Sequence, residues 1–325
     1  MLLGDHMPNL LIIISHPEPV REKYMDSLRA QFPDMTINMV DHHSKVGPYI
    51  ANAEILMTFA PMMADHVLQE GVNIKWIHAL TTGTDGVDRL PSLRPEVVVT
   101  NTRGIHGPPM SEAALMSMLA LARNYPLVLK NQERHVWGKH AMVTLLDGKT
   151  VGIFTMGTIG RAFAPKCKAM GMKVVGINRS LLAKVDGVDR ILRWEEGLQA
   201  LPEFDFVVSF IPSTPQTRGI AGAEFFAAMK PSAYFINLGR GEVVDEGALI
   251  DALKNMQIAG AALDVFHQEP LPPESPFWSA PNCIVTPHVG GSFDEYPQRA
   301  LPIFYENMNR YLAGDYTNMI NLVKH

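Results

Sequence analysis

The chain has 325 residues, 47% of them hydrophobic, which calls for about two globular domains with sizeable cores. A net charge of −5 argues against a dedicated nucleic-acid or anionic-membrane binder. Its two cysteines, Cys167 and Cys283, form neither a disulfide framework nor a C-x-x-C metal pair, so a reducing cytoplasmic setting is expected.

In chain order, the leader Met1–His6 has the look of a cloning scar, with Met7 as a native start. The apolar run Asn9–Ile14 is far short of the roughly 20 residues that span a bilayer. It lacks the basic flank and cleavage site of a signal peptide, so no membrane association is expected. It reads instead as a buried strand, Leu10–Ser15, followed by a helix over Val20–Gln31. Strands at Ile55–Phe59 and Ile74–Ala79 flank a helix at Met62–Glu70, and Val97–Asn101 is a further strand. The Pro108-Pro109 pair starts a long helix that runs to Arg123. A second series places strands at 149–154, 173–177, 205–210, 233–237, 258–262 and 283–286. Helices fall between them at 158–171, 194–201, 221–229 and 245–254, and a helix over Phe293–Leu312 follows. Strands alternating with helices predict parallel sheets covered on both faces.

VGIFTMGTIG, residues 151–160, is a strand, a turn and a helix start, the context of a dinucleotide fingerprint G-x-G-x-x-G. Gly157 would let backbone approach a pyrophosphate and Gly160 would let the helix pack on the strand. The N–H groups of Thr158 and Ile159, with Met156 before them, would face phosphate. Thr155 replaces the first glycine, and threonine serves there if the turn takes a negative φ. The next strand ends in Asn178-Arg179-Ser180, where an NAD site would place an acid on the ribose 2′-hydroxyl. A guanidinium and a hydroxyl, with Lys184 nearby, suit a 2′-phosphate instead, so NADP(H) is expected over NAD(H), with NAD(H) still possible. The helix over Phe293–Leu312 has no sheet of its own to cover. The expected organisation is therefore a discontinuous substrate domain, 1–101 plus 293–325, around a dinucleotide-binding domain, 102–292. A small ligand would sit in the cleft between them.

Three later segments bear on the reaction: Asn237-Leu238-Gly239-Arg240-Gly241-Glu242, Gly260–Pro272 with Asp264 and Glu269, and Pro281–Gly291 with His288 and Gly290. Together with Thr100–Glu112 and Phe206–Gly219 in this order, they resemble the D-isomer-specific 2-hydroxyacid dehydrogenases, nearest the glyoxylate/hydroxypyruvate reductase and broad 2-ketoacid reductase branches. The resemblance implies an α/β fold with a Rossmann-type doubly wound parallel sheet domain inserted in a smaller flavodoxin-like α/β substrate domain. It also implies a homodimer acting on a small 2-keto or 2-hydroxy acid.

Reducing a 2-keto acid needs a proton donor, and imidazole, which titrates near neutral pH, suits His288 to that role. Glu269 would hydrogen-bond the ring and favour its charged form. Arg240 would clamp the carboxylate and polarise the carbonyl. The resemblance assigns the same three roles. It also implies that Thr82 and Gly83, in the loop Thr81–Asp88, bind the carboxylate through backbone N–H groups, and that Met110 and Asp264 lie at the nicotinamide end. Ile211, Pro212, Thr217, Leu238 and Gly239 would line the cofactor, and Trp137 would reach a partner subunit's substrate pocket. Met57, Phe59, Leu80 and Trp137 are expected near the mouth, whose apolar character leaves larger acids open. His42-His43 have no third ligand at metal spacing, so no metal is expected. The alternatives are a nucleotide-sensing corepressor or scaffold of the same fold, or a dehydrogenase for another acid such as phosphoglycerate. The long C-terminal regulatory domains that phosphoglycerate dehydrogenases often carry, and interaction tails of a scaffold, have no counterpart in the sequence, which favours the reductase.

Overall fold

The computed structural model describes residues 7–138, 143–180, 182 and 184–325. The leader Met1–His6, read above as a scar, lies outside the described residues. The chain forms two compact units: one runs to Ile105 and takes in Phe293–His325, and the other is His106–Ser292.

The first unit contains β1 (Leu10–Ile13), α1 (Glu18–Gln31), β2 (Ile37–Val40), α2 (Gly47–Ile50), β3 (Ile55–Thr58), α3 (Asp65–Glu70), β4 (Trp76–Ala79) and β5 (Val98–Asn101). The second unit begins with α4 (Gly107–Ala122) and α5 (Tyr125–Glu133), then β6 (Thr150–Phe154), α6 (Thr158–Ala169), β7 (Lys173–Asn178) and β8 (Arg190–Arg193). It continues with α7 (Trp194–Gln199), β9 (Phe206–Ser209), α8 (Ala223–Ala228), β10 (Tyr234–Asn237), α9 (Glu246–Lys254), β11 (Gly260–Leu263) and β12 (Cys283–Val285). The chain then returns to the first unit through α10 (Tyr296–Leu312).

Both sheets are parallel throughout. The first has the order β2-β1-β3-β4-β5, which is the flavodoxin-like arrangement. The second, β8-β7-β6-β9-β10-β11-β12, is the dinucleotide-binding order with one strand added at the far edge. Helices cover both faces, so central strands such as β1 and β3 read as unbroken apolar runs. The edge strands β2 and β8 and the short helices α2 and α5 are absent from the sequence reading. Both edge strands are largely half-exposed, which weakens the apolar signal that finds their neighbours. The stretch read as one helix over 62–70 is a 3-10 turn at Ala60–Met62 and then α3 from Asp65.

In the first unit, Leu10, Ile12, Ile55 and Met57 pack with α1 and α10, while Leu11, Ile13 and Leu56 pack with Ile50, Val67 and Leu68 on the opposite face. Trp76 stacks on Phe304 of α10, 5.0 Å between centroids and 11° from coplanar, which ties the returning helix to the sheet. His78 is buried between the Thr100 and Thr102 hydroxyls, and burial pushes its pKa down to about 3. It is a neutral core residue. Among the described residues no helix is long and apolar enough to cross a membrane.

The turn after β6 does not meet the condition set above for an unstrained threonine. Thr155 has φ +83°, not a negative value, so it adopts the backbone that the missing glycine would have used. The conformation is imposed by the neighbours: Thr155 N–H donates to Ile177 O at 2.9 Å. A Cβ on Gly160 would lie 2.4 Å from Thr155 O, so that glycine is required by close packing of α6 on the turn. A Cβ on Gly157 would meet nothing nearer than 3.9 Å, leaving open space before the helix. A β-branched residue at this φ stores strain on the order of 1–3 kcal/mol, partly offset on removal by glycine's greater unfolded-state freedom. Thr155→Gly is therefore expected to raise unfolding free energy by about 1 kcal/mol in urea titrations; a loss of stability would show that the threonine is unstrained.

Candidate active site

The loops at the carboxyl ends of β10, β11 and β12 bring Arg240, Glu269 and His288 to the same edge of the seven-stranded sheet. After β10, Asn237 clips the loop from both sides: its Oδ1 accepts from Gly239 N–H at 3.2 Å and its Nδ2 donates to Arg240 O at 3.0 Å. A Cβ on Gly239 would fall 2.5 Å from Ile211 O, and one on Gly241 would fall 2.1 Å from the Phe266 carbonyl carbon. The N-L-G-R-G pattern is thus demanded by three loops crowding together, with Arg240 between the two glycines. Arg240 Nη1 also donates to Gly239 O at 2.8 Å, which orients the guanidinium.

His288 Nδ1 donates to Glu269 Oε2 at 2.6 Å, and Phe266 N–H donates to Glu269 Oε1 at 2.9 Å. Burial alone would raise the Glu269 pKa. The hydrogen bonds from His288 and Phe266, with the His288 and Arg240 charges, outweigh it and hold the carboxyl below its usual range. Glu269 is therefore an anion at neutral pH and fixes Nδ1 as a donor, leaving Nε2 as the nitrogen that can serve a substrate.

His288 itself sits at φ +53°, a conformation that needs outside support. Asp264, 1% exposed, provides it. Its Oδ1 accepts from Thr286 Oγ1 at 2.6 Å and Val289 N–H at 3.0 Å, and its Oδ2 accepts from Gly290 N–H at 2.8 Å. Both carboxylate oxygens are thus occupied by the loop that carries His288. A Cβ on Gly290 would crowd Asp264 Oδ2 at 2.8 Å, and one on Gly291 would lie 3.2 Å from His106 Cδ2 and 3.7 Å from Met110 Sδ. Met110, on α4, therefore stands beside the His288 loop. Burial pushes His106 down to about 4, so it packs there uncharged.

On the other side of the same sheet edge, α6 opens at Gly157 with Thr158 and Ile159 in its first turn. The Met156 side chain is buried in the core and its N–H donates to Asn178 Oδ1 at 3.3 Å, which ties the turn to the end of β7. Asn178 Nδ2 in turn donates to Ser180 O at 3.0 Å, presenting Arg179 and Ser180, both exposed. After β9, Ile211 is buried and Pro212 exposed, and Thr217 Oγ1 donates to Pro212 O at 2.6 Å. Leu238 N–H donates to Ser209 O at 3.0 Å, continuing the ladder into the Arg240 loop.

In the first unit, the Thr81–Asp88 loop follows β4. Asn101 Nδ2 donates to Thr82 O at 2.8 Å and Thr81 Oγ1 donates to Gly83 O at 2.6 Å, so the backbone of Thr82 and Gly83 is held from both sides. Met57 and Leu80, expected near the mouth, are wholly buried in the core beneath the sheet edge; only Phe59 of that unit's trio is half-exposed. Trp137, beyond α5, is 89% exposed. His42 and His43 gain a neighbour in His66, whose ring lies 5.1 Å from that of His43. Among the described residues, however, no group of three His, Cys, Asp or Glu side chains could hold a metal. The reading of the sequence missed the parts played by Asn237, Thr286, Asn101 and His106. All four lay inside segments already singled out, but nothing in the sequence shows which side chain turns back on the main chain or packs beneath the loop.

The model of the D-isomer-specific 2-hydroxyacid dehydrogenase NAD-binding domain matches residues 115–290. The chain belongs to this family. A D-3-phosphoglycerate dehydrogenase of Synechocystis is 37% identical over 243 residues, 74% of this chain and 43% of that protein. The chain spans about half the length of the D-3-phosphoglycerate dehydrogenases it matches. A 2-hydroxyacid dehydrogenase family protein from Aeromonas salmonicida has a similar structure, with TM-score 0.87, 32% identity, and coverage of 98% of this chain and 99% of that one. An NADPH-dependent glyoxylate/hydroxypyruvate reductase from Sinorhizobium meliloti, solved with NADP and sulfate, gives TM-score 0.82 and 29% identity over 97% and 98%.

Asp264 supplies a direct test of the loop's dependence on one carboxylate. In Asp264→Asn an NH2 group replaces one of the two accepting oxygens and faces a backbone or hydroxyl donor. Stability is expected to fall by about 2 kcal/mol in chemical denaturation. An unchanged midpoint would show that the loop holds itself.

Proposed function

We propose that this protein reduces 2-keto acids to D-2-hydroxy acids with NADPH. The observation that carries the reading is the 2.6 Å Glu269–His288 pair on the same sheet edge as Arg240. Nicotinamide, when bound, supplies the hydride. His288 Nε2 gives its proton to the carbonyl oxygen while Nδ1 stays anchored on Glu269. Arg240 holds the substrate carboxylate and polarises the carbonyl, and the backbone N–H groups of Thr82 and Gly83 assist with the carboxylate. The seven-stranded unit is then the cofactor domain and the five-stranded unit the substrate domain. Thr158 and Ile159 at the open start of α6 meet the pyrophosphate, and Met110 and Gly290 stand at the nicotinamide end. Asp264 acts there through the His288 loop it holds. Trp137 serves a partner subunit's pocket in a cytoplasmic homodimer, a role that its exposure supports.

NADPH is the preferred donor because Arg179 and Ser180 stand at the end of β7, where a ribose 2′-hydroxyl would need an acid; the first acid after β7 is Asp186. The Sinorhizobium relative's complex with NADP agrees with this assignment. Loss of NADPH or NADH absorbance with glyoxylate, hydroxypyruvate, 2-ketoisocaproate and 3-phosphohydroxypyruvate tests the whole reading. Turnover with NADPH well above NADH is expected. Turnover with NADH alone would sink the NADP assignment, and the phosphorylated acid as the sole substrate would move the protein to the phosphoglycerate branch.

Glu269→Gln checks the acid's support. An anionic neighbour favours a protonated ring, and reduction consumes that proton. Removing the charge is expected to move the high-pH limb of kcat/KM for reduction to lower pH. A limb that stays in place would show that Glu269 only orients the ring.

A further inference from the structure

The sheet of the first unit reverses its strand order at β1, which pairs with β2 on one side and β3 on the other. In open α/β sheets, ligands settle in the crevice outside the carboxyl ends of the strands at such a reversal. An aromatic ring lies just beyond each of these two strands. His16, beyond β1, and Phe59, directly after β3, have ring centroids 4.9 Å apart. Phe59 lies 5.6 Å from Tyr296, and Tyr296 lies 5.0 Å from Phe293. Four rings thus form a continuous wall along one sheet edge. Phe59, Phe293 and Tyr296 are half-buried, each keeping part of its surface open.

The wall is tied to the carboxylate loop. The Tyr296 hydroxyl donates to the carbonyl of Leu80, the residue immediately before Thr81–Gly83. The helix that carries Tyr296 is therefore locked to the backbone that offers Thr82 and Gly83. Burial lowers the His16 pKa, so its ring extends the wall without adding a charge at neutral pH.

We propose that His16, Phe59, Phe293 and Tyr296 form the surface that receives the substrate's side chain, and that they select 2-keto acids with an aryl substituent over glyoxylate. This rests on the reductase reading above. Glyoxylate bears only a hydrogen on its carbonyl carbon and would leave the rings facing water. A flat ring on the adjacent carbon can lie at the roughly 4.5–7 Å separation that aromatic pairs prefer, removing apolar area from water on both partners. Hydrophobic discrimination of this kind yields roughly 10- to 200-fold in kcat/KM.

The test compares kcat/KM for phenylpyruvate and glyoxylate with NADPH in the full chain, in Phe59→Ala and in Phe59→Leu. Phe59→Leu retains packing against the core should the alanine variant fold poorly. Met256→Ala, far out on the surface of the second unit, is the control. The expected result is a phenylpyruvate-to-glyoxylate ratio of about 10 or more. It should fall about tenfold in Phe59→Ala, mainly through KM for phenylpyruvate, fall partway in Phe59→Leu, and stay unchanged in the control. A parent enzyme that prefers glyoxylate, or a ratio indifferent to both Phe59 variants, would overturn the inference and leave the reductase reading standing. No turnover of either acid, or of any other 2-keto acid, would overturn the reductase reading and the inference with it.

Discussion

The edge that carries Arg240, Glu269 and His288 depends on one buried carboxylate. Asp264 leaves β11 and takes three hydrogen bonds from the segment 286–290 beyond β12. Two adjacent strands of a parallel sheet end side by side, but their loops have no ladder to hold them. Asp264 replaces that ladder with charge-assisted bonds in a dry setting, where such bonds are strongest. With the loop fixed, His288 can hold a left-handed backbone and still meet Glu269 at 2.6 Å. Glu269 itself is positioned by Phe266 N–H, and the Phe266 backbone crowds Gly241 next to Arg240. Arginine, glutamate and histidine are separated by up to 48 positions in the chain, yet neighbouring loops of one sheet place them on one edge.

The same economy appears at both reversals of strand order. In the seven-stranded sheet the reversal falls at β6, whose turn leads into the open start of α6 and lies beside the Arg179-Ser180 end of β7. In the five-stranded sheet it falls at β1, where His16 and Phe59 begin the aromatic wall. A phosphate site needs backbone N–H groups, and a side-chain site needs apolar area. The first edge presents glycine and helix N–H groups, and the second presents rings.

Much of this was legible in the sequence, and what escaped has physical causes. The central strands are buried on both faces, so Leu10–Ile13, Ile55–Thr58 and Phe206–Ser209 stand out as apolar runs. The edge strands Ile37–Val40 and Arg190–Arg193 are half wet and escaped the sequence reading. The φ at Thr155 was left as a condition because residue type alone does not fix it; beside the hydrogen bond from its N–H to Ile177 O, it takes φ +83°. Met57 and Leu80 were placed at the mouth, but both side chains point into the core of the first unit and are wholly buried. The bonds of Asp264 and Asn237 were out of reach because their direction depends on the loops they hold.

The most direct test of the central claim follows the hydride and the proton separately. The enzyme would be given NADPH deuterated at the transferred C4 position and a 2-keto acid in ordinary water, and the product resolved on a chiral column and weighed. The expected product is a D-2-hydroxy acid with deuterium at C2 and an exchangeable proton on the new hydroxyl, formed far more slowly when His288 is replaced by glutamine. An L product, a product without deuterium at C2, or an undiminished rate in His288→Gln would contradict it.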